Sequence, residues 1–354
     1  IRTILNLPDP NHHMSNTIKD IVALPYFANT IRCIRSVIKF FKHANAAKAL
    51  LKGLHEKSML GPGLESVGKT RFGTMIWSAI SVQRCLPGIR QLCTTNVITI
   101  PKWQRFFIQN STVSLQFEII LNQLISVGEG LAKAIVCLEA TSSNPADVYL
   151  YWLAVLAHMK ESLTKSGLPD DVCNEIHGII NHRWHEFFIH GPTHVHLAAF
   201  YLNPRMYQVP FRVMVLTQVS GYVRSSIFKN PNPLTFSIRL PAKEPPKVPP
   251  GIQNPRTFLE VGRYFLTSLV EEINHGDNPT LLAWKDRPAA FTKAYQAQFT
   301  AYAQGAYLFN TPLGEDQDPL NWWQVYEKIP NGGILAVCRH RETDCTLTLT
   351  LFHL

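Results

Sequence analysis

Apolar positions recur at three- and four-residue intervals along most of the chain, the spacing that gathers them on one face of a helix. Ile18, Ile21, Val22, Ile31, Ile34, Val37, Ile38 and Phe41 form the first such series, and Pro25 inside it predicts two helices rather than one. Helical spacing resumes from about Arg71 to Thr141, with Pro87 and Pro101 as expected breaks. Asn144-Pro145 predicts a helix start, with Asn as cap and Pro at the first position, and Tyr149, Trp152, Leu153 and Leu156 as the apolar face. Pro169-Asp170-Asp171 predicts another, its acids at the positive end, carrying Val172, Ile176, Ile179, Ile180 and Trp184. Further helices are expected over Phe258–Ile273 and from about Ala289 to Phe309. Ile4-Leu5-Asn6-Leu7, ending at Pro8, reads as a strand. Gly61-Pro62-Gly63 marks a loop, and the prolines between residues 230 and 255 mark an extended connector.

Composition narrows the class. The chain has 354 residues, of which 46% are hydrophobic, enough for a sizeable core. Only 17% are charged, which excludes a disordered polyelectrolyte. The formal net charge is +9, so the basic excess matters only where it clusters. The longest apolar run, near Val148 to Ala157, is shorter than the ~20 residues a membrane span needs, and no membrane partner is expected. No charged and then apolar leader opens the chain, and Ile1 in place of Met reads as a fragment. Seven scattered cysteines without a Cys-x-x-Cys pair read as buried thiols of an intracellular protein. The Asn110-Ser111-Thr112 sequon is then a chance match.

Three patterns carry candidate chemistry. Arg32, Arg35, Lys39 and Lys42 share one helix face, Lys48, Lys52 and Lys57 extend the run, and Glu56 is the sole acid between Arg32 and Lys57. A stripe of one sign can track phosphates, whereas an ordinary solvated face mixes signs. Gly63, Gly68, Lys69 and Thr70 fit the P-loop spacing, but that loop needs a strand before it, and Ala46–Leu60 reads as helix. His182, His185, His190, His194 and His196 cluster in sequence, yet His185-Glu186 reaches His190 at five residues, not the four that align two imidazoles on one helix face. Acids able to form a two-metal site are not marked by their neighbours, and no nucleophile elbow occurs.

Several segments together resemble the hAT-family transposases, particularly fungal copies. Asp9-Pro10-Asn11-His12, followed by Ser15, Lys19 and Asp20, is similar to the family's Cys/Asp-x-x-His motif. Thr70-Arg71-Phe72-Gly73-Thr74 resembles its Thr-Arg-Trp box, with Phe72 in place of Trp. His196 to Arg205 resembles the stretch ending Leu-Asp-Pro-Arg, and Asp318-Pro319-Leu320-Asn321-Trp322-Trp323 resembles the opening of the C-terminal dimerisation region. The four occur in family order.

The resemblance implies a fold that is mostly α with an α/β remnant: an RNase H-like fold interrupted by a large all-α insertion. It divides the chain into an RNase H-like remnant over residues 1–60, the insertion over 61–309 with the proline-rich connector at 230–255, a partial dimerisation region over 310–337 and a divergent tail over 338–354. It also implies a nuclear location and DNA as partner, with a homodimer through the C-terminal region. Active relatives hold Mg²⁺ with three acids, two before the Asp-x-x-His motif and one after the Trp-Trp segment. This chain starts eight residues before the first motif and departs from the pattern after about Val337, at Cys338-Arg339-His340-Arg341. The family's frequent N-terminal zinc finger is absent from it. The expectation is therefore an inactive, cofactor-free derivative retaining nonspecific DNA binding, dimerisation or both. Arg32, Arg35, Lys39, Lys42 and Arg71 are the expected phosphate contacts, and Asp9, His12, Asp20, Phe72, Trp322 and Trp323 the family-motif positions. A P-loop nucleotide-binding protein using Gly63–Thr70 and a purely structural helical interaction module are the alternatives.

Overall fold

The computed structural model describes residues 7–58, 62–68, 73–109, 111–140, 143–191, 194–204, 249–250, 252, 255–314, 317–327, 329 and 333–337. These residues are mostly helical, and no strand occurs among them. The expected strand at Ile4–Leu7 lies outside them except for Leu7, which is irregular, and most of the proline-rich connector and the divergent tail lie outside them as well. Contacts divide the chain into two compact units. The N-terminal unit joins Pro8–Ala140 to Ala154–Ile189, and the C-terminal unit joins Ile1–Leu7, Thr141–Leu153 and His190–Leu354.

The N-terminal unit begins with α1 (Pro10–Val22), a 3-10 turn at Pro25–Phe27 and α2 (Ala28–His43), so Pro25 does divide the first apolar series. It continues with α3 (Asn45–Ser58), α4 (Gly73–Thr94), a 3-10 turn at Gln104–Phe106 and α5 (Thr112–Leu138). The second part of α6 (Pro145–Lys165), α7 (Asp170–Trp184) and a π-helical turn at His185–Ile189 complete it. Pro87 was an expected break but lies inside α4. An interior proline costs about 3 kcal/mol, and burial of Cys85, Leu86, Gly88 and Ile89 around it offsets that loss. Gly88 also admits α3, because a Cβ there would lie 3.0 Å from Leu51 Cδ1.

Helix α5 is the central element, packed against α4 and α1, while α4 also receives α2 and α3. Gly128 lets α5 and α4 approach: an added Cβ would collide with the Ile76 side chain. Contrary to the sequence expectation, α5 is long and apolar enough, by length and composition, to cross a membrane, although 56% of its apolar stretch is buried inside the protein. Glu118, Glu129 and Lys133 interrupt the run and conceal its length. Gln123, buried on α5, accepts from the Tyr26 hydroxyl and donates to the carbonyls of Ser166 and Gly167, fixing the α6–α7 turn. Gly167 occupies the left-handed region there (φ 64°), which a residue without Cβ adopts freely.

The C-terminal unit contains the start of α6, α8 (Val195–Leu202), α9 (Pro255–His275), α10 (Pro279–Leu282), α11 (Pro288–Gln304) and α12 (Pro319–Glu327). The Asn144 side chain caps α6 as expected, accepting from the amides of Ala146 and Asp147, and Asp147 accepts in return from the Asn144 amide. Helix α11 ends earlier than the expected Phe309. Gly305 (φ 62°) terminates it, and the amides of Gly305 and Ala306 cap the carbonyls of Tyr302 and Ala301. The core of this unit is aromatic: Phe258, Phe265, Phe291, Tyr295, Phe299, Tyr302, Phe309, Trp322, Trp323 and Tyr326 are all buried together.

Candidate nucleic-acid interface

The basic stripe is built by the amphipathic pattern of α2. Ile31, Ile34, Val37, Ile38 and Phe41 are buried on one side, which leaves Arg32, Arg35, Lys39 and Lys42 exposed on the other. Four cations over ten residues span roughly 15 Å of helix axis. Arg32 donates to Asn29 Oδ1, and among the described residues no carboxylate pairs with any of the four. Lys42 also falls in the last turn of α2, where the helix dipole favours a cation. Lys48 on α3 is exposed, while Lys52 is paired with Glu56. Arg71 and Phe72 lie outside the described residues.

The setting of the stripe is more basic than the chain as a whole. Residues 21–117 hold thirteen Lys and Arg against two acids, Glu56 and Glu65, a net +11, whereas the chain totals +9. A second basic stretch lies at residues 205–256, with eight Lys and Arg against one acid, Glu244.

The family-motif residues have local structural roles. Asp9 caps α1, its Oδ1 accepting from the amides of Asn11 and His12 at 2.9 and 3.3 Å. The His12 side chain is exposed, and its neighbour His13 is the buried one. Asp20 does not stand open for a metal: its Oδ2 accepts from Arg183 Nε at 3.0 Å and Nη2 at 2.6 Å. Arg183 Nη1 donates in turn to Glu186 Oε2 at 2.7 Å. Partial burial alone would raise the Glu186 carboxyl, but the Arg183 hydrogen bond and charge hold it below its ordinary range. His13 donates from Nε2 to the Arg183 carbonyl at 2.8 Å, and because a carbonyl only accepts, that nitrogen carries the proton. Burial pushes the His13 pKa down, and the hydrogen bond and Glu186 oppose the shift only in part.

This network of His13, Asp20, Arg183 and Glu186 joins α1 to the end of α7 and the π-helical turn. Sequence reasoning singled out Asp20 and, in the histidine cluster, Glu186, but not Arg183 that joins them, because it stands 163 residues from Asp20 and nothing local marks the pairing.

Trp322 and Trp323 are packing anchors. Trp323 is 1% exposed and donates from Nε1 to the Leu202 carbonyl at 3.0 Å, and Trp322 donates to the Thr311 carbonyl at 3.0 Å. Their rings meet at 5.0 Å edge to face, and Phe309 and Tyr326 close the cluster.

The P-loop pattern is preceded by helix α3, not by a strand, although residues 59–61 and the Lys69 and Thr70 positions lie outside the described residues. Two of its amides already have side-chain acceptors from α4: Gly68 N–H donates to Thr74 Oγ1 and Glu65 N–H to Ser81 Oγ. A phosphate cradle requires such amides to face the ligand. The histidine cluster does not converge either. His182 and His185 are exposed, whereas His196 is buried, with its pKa pushed down to about 4 by burial despite a hydrogen bond with the Pro145 backbone. Among the described residues no three His, Cys, Asp or Glu side chains are placed to share a metal.

Cys33, Cys85 and Cys93 are buried thiols, the last two with pKa values pushed up to about 11 by burial, while Cys137 is exposed and Cys173 half-buried. The expectation of uniformly buried thiols is corrected to that extent. No protein-family model matches the chain, and no curated protein matches it.

Proposed function

We propose that this chain is an inactive derivative of an hAT-type transposase, in an RNase H-like framework with a helical insertion, that binds DNA without sequence preference through the outer face of α2. The observation that carries the DNA reading is the stripe of Arg32, Arg35, Lys39 and Lys42, exposed, without carboxylate partners among the described residues and set in a segment rich in cations and poor in acids. Cations on one helix face contact phosphates, and phosphate contacts position a protein on a duplex without reading its sequence. A nuclear location belongs to the same proposal.

The reading assigns no strand cleavage. Asp20 is held by Arg183 and Asp9 caps a helix, so neither is poised as a metal ligand. Dimerisation through the C-terminal region is a further part of the proposal. With both indoles buried, it would use the outer face of α12, where Asn321, Gln324 and Val325 are exposed.

The test is a titration of the full chain with duplex DNA of unrelated sequences at several salt concentrations. The expected result is equal affinity across sequences, with a log–log salt slope of about −3 to −4 for four phosphate contacts. Substituting the four cations with Ala is expected to flatten the slope by about 1 for each residue. Absence of binding at low salt, or an unchanged slope in the fourfold variant, overturns the reading.

A further inference from the structure

The turn leading into the 3-10 segment Gln104–Phe106 holds a cation in a backbone conformation that it does not favour. The Trp103 amide donates to the Ile100 carbonyl at 3.2 Å, which closes a turn with Pro101 and Lys102 as its central pair, and Lys102 stands in the left-handed region (φ 65°). Proline first and a positive φ second is the type II arrangement, whose second position favours Gly or Asn. A lysine there is strained, and because Lys102 is exposed, packing does not account for it.

The loop is anchored from below and presents rings and cations above. The Gln104 side chain accepts from the Ile100 amide at 2.9 Å and donates to the Cys93 carbonyl at 3.2 Å. Phe107 is fully buried, and Phe106 and Phe107 pack on Phe117 at 5.7 and 5.6 Å. Around this anchor, the rings of Trp103 and Phe106 meet at 5.3 Å, and both residues keep part of their surface in solvent. The exposed Arg105 carries its guanidinium over the Phe106 ring at 5.3 Å. Neither Lys102 nor Arg105 has a carboxylate partner among the described residues. Residues 66–117 contain no Asp or Glu, and the next acid, Glu118, is bound by Arg90 at 2.7 Å.

We propose that the loop Lys102–Phe106 binds an unpaired nucleic-acid strand, with bases stacking on Trp103 and on the Arg105 guanidinium, and with Lys102 contacting phosphate. Rings interleaved with cations suit single strands of any sequence, because every base has a π-face and every link a negative charge. Guanidinium planes and aromatic rings serve as stacking platforms only for bases that are free of their partners. In a duplex the bases stack on one another, so a duplex fits this loop less well. The inference goes beyond the α2 reading, which concerns phosphates of paired DNA, and the two fail separately.

The test is a fluorescence-anisotropy titration of the full chain with a short dT oligonucleotide, with an abasic oligonucleotide of equal length and with duplex DNA. The dT strand is expected to bind more tightly than the abasic one. Trp103→Ala is expected to bind dT about tenfold more weakly, with duplex affinity unchanged and with Trp103→Phe restoring most of the loss. Lys102→Gly relieves the strained turn, so it is expected to keep or raise the melting temperature while flattening the single-strand salt slope by about 0.7. Leu115 and Ile119, on the side of α5 away from Phe117, are 55% and 56% exposed, and a Leu115→Asn/Ile119→Asn pair is expected to bind like the parent. Equal affinity for the dT and abasic strands overturns the proposal, as does unchanged dT binding in Trp103→Ala and Lys102→Gly. An equal loss of duplex affinity in those variants also overturns it and assigns the loop to the same surface as α2.

Discussion

The two units are both helical, yet they fill their interiors differently. The N-terminal unit packs aliphatic residues and thiols, with Ile18, Ile34, Val37, Ile76, Val82 and Cys85 all fully buried around α5. The C-terminal unit packs rings, including the run Phe291, Tyr295 and Phe299 at four-residue spacing along α11, with successive centroids at 6.5 and 5.6 Å. Rings bring polar handles that must be satisfied when buried. Tyr295 and Tyr302 donate to the carbonyls of Gly262 and Tyr201, and Trp323 to that of Leu202. The aliphatic unit buries smaller polar groups, such as Gln123, which accepts from Tyr26 and donates to Ser166 and Gly167, and it also carries an exposed cation stripe. The C-terminal motif is thus committed to packing, whereas the N-terminal unit keeps charged groups available for a partner.

The sharpest way to break this comparison is to remove a ring. Trp323→Ala is expected to cost about 3–5 kcal/mol, through the cavity and the lost hydrogen bond to Leu202. Denaturant unfolding followed by near-ultraviolet circular dichroism measures it, and a loss below 1 kcal/mol would deny the indole its anchoring role.

Acid tests the same unit by a different route. His196 has a folded pKa of about 4 against an ordinary 6.5, so the unfolded chain takes up the proton first. Its contribution is present above pH 6.5 and is lost as pH falls from 6.5 towards 4, by up to about 3 kcal/mol. A His196→Asn variant with a flatter stability profile over that window is the expected outcome. His13 and His177 are also pushed down by burial, so the N-terminal unit should lose stability in the same direction.

In the N-terminal unit, Asp20→Asn leaves Arg183 with a weakened partner in a half-buried setting. The expected cost is about 2 kcal/mol, read as a lower denaturant midpoint. If Asp20 were a free metal ligand, its substitution would leave stability near the parent's and abolish a metal-dependent shift in melting. The smallest effect on stability is expected on the α2 face. Arg32→Ala, Arg35→Ala, Lys39→Ala and Lys42→Ala should each stay within about 0.5 kcal/mol of the parent, while their duplex affinity falls. Equal loss of stability and of binding would show that the stripe packs rather than binds.

Much of the helical order was legible in the sequence because the signals are local. Pro25 divides α1 from α2, Asn144 caps α6, and the α2 stripe stands where its spacing places it. Pro87 misled because burial around it outweighs the lost hydrogen bond, and Glu118 and Glu129 hid the length of α5. The family motifs named residues without giving their surroundings. Asp9 and Asp20 could be read as metal-site neighbours, but a cap and a distant arginine occupy them.

The sequence by itself therefore determined the helical class, most helix starts and which cations share a face. Each of these depends on propensity, caps or periodicity within a few residues. Tertiary structure alone decided that Asp20 meets Arg183, that both indoles of Trp322-Trp323 are buried, and that Leu115 and Ile119 remain uncovered. Those outcomes depend on which distant side chains fill the space around a residue, and periodicity along one helix carries no information about its neighbours.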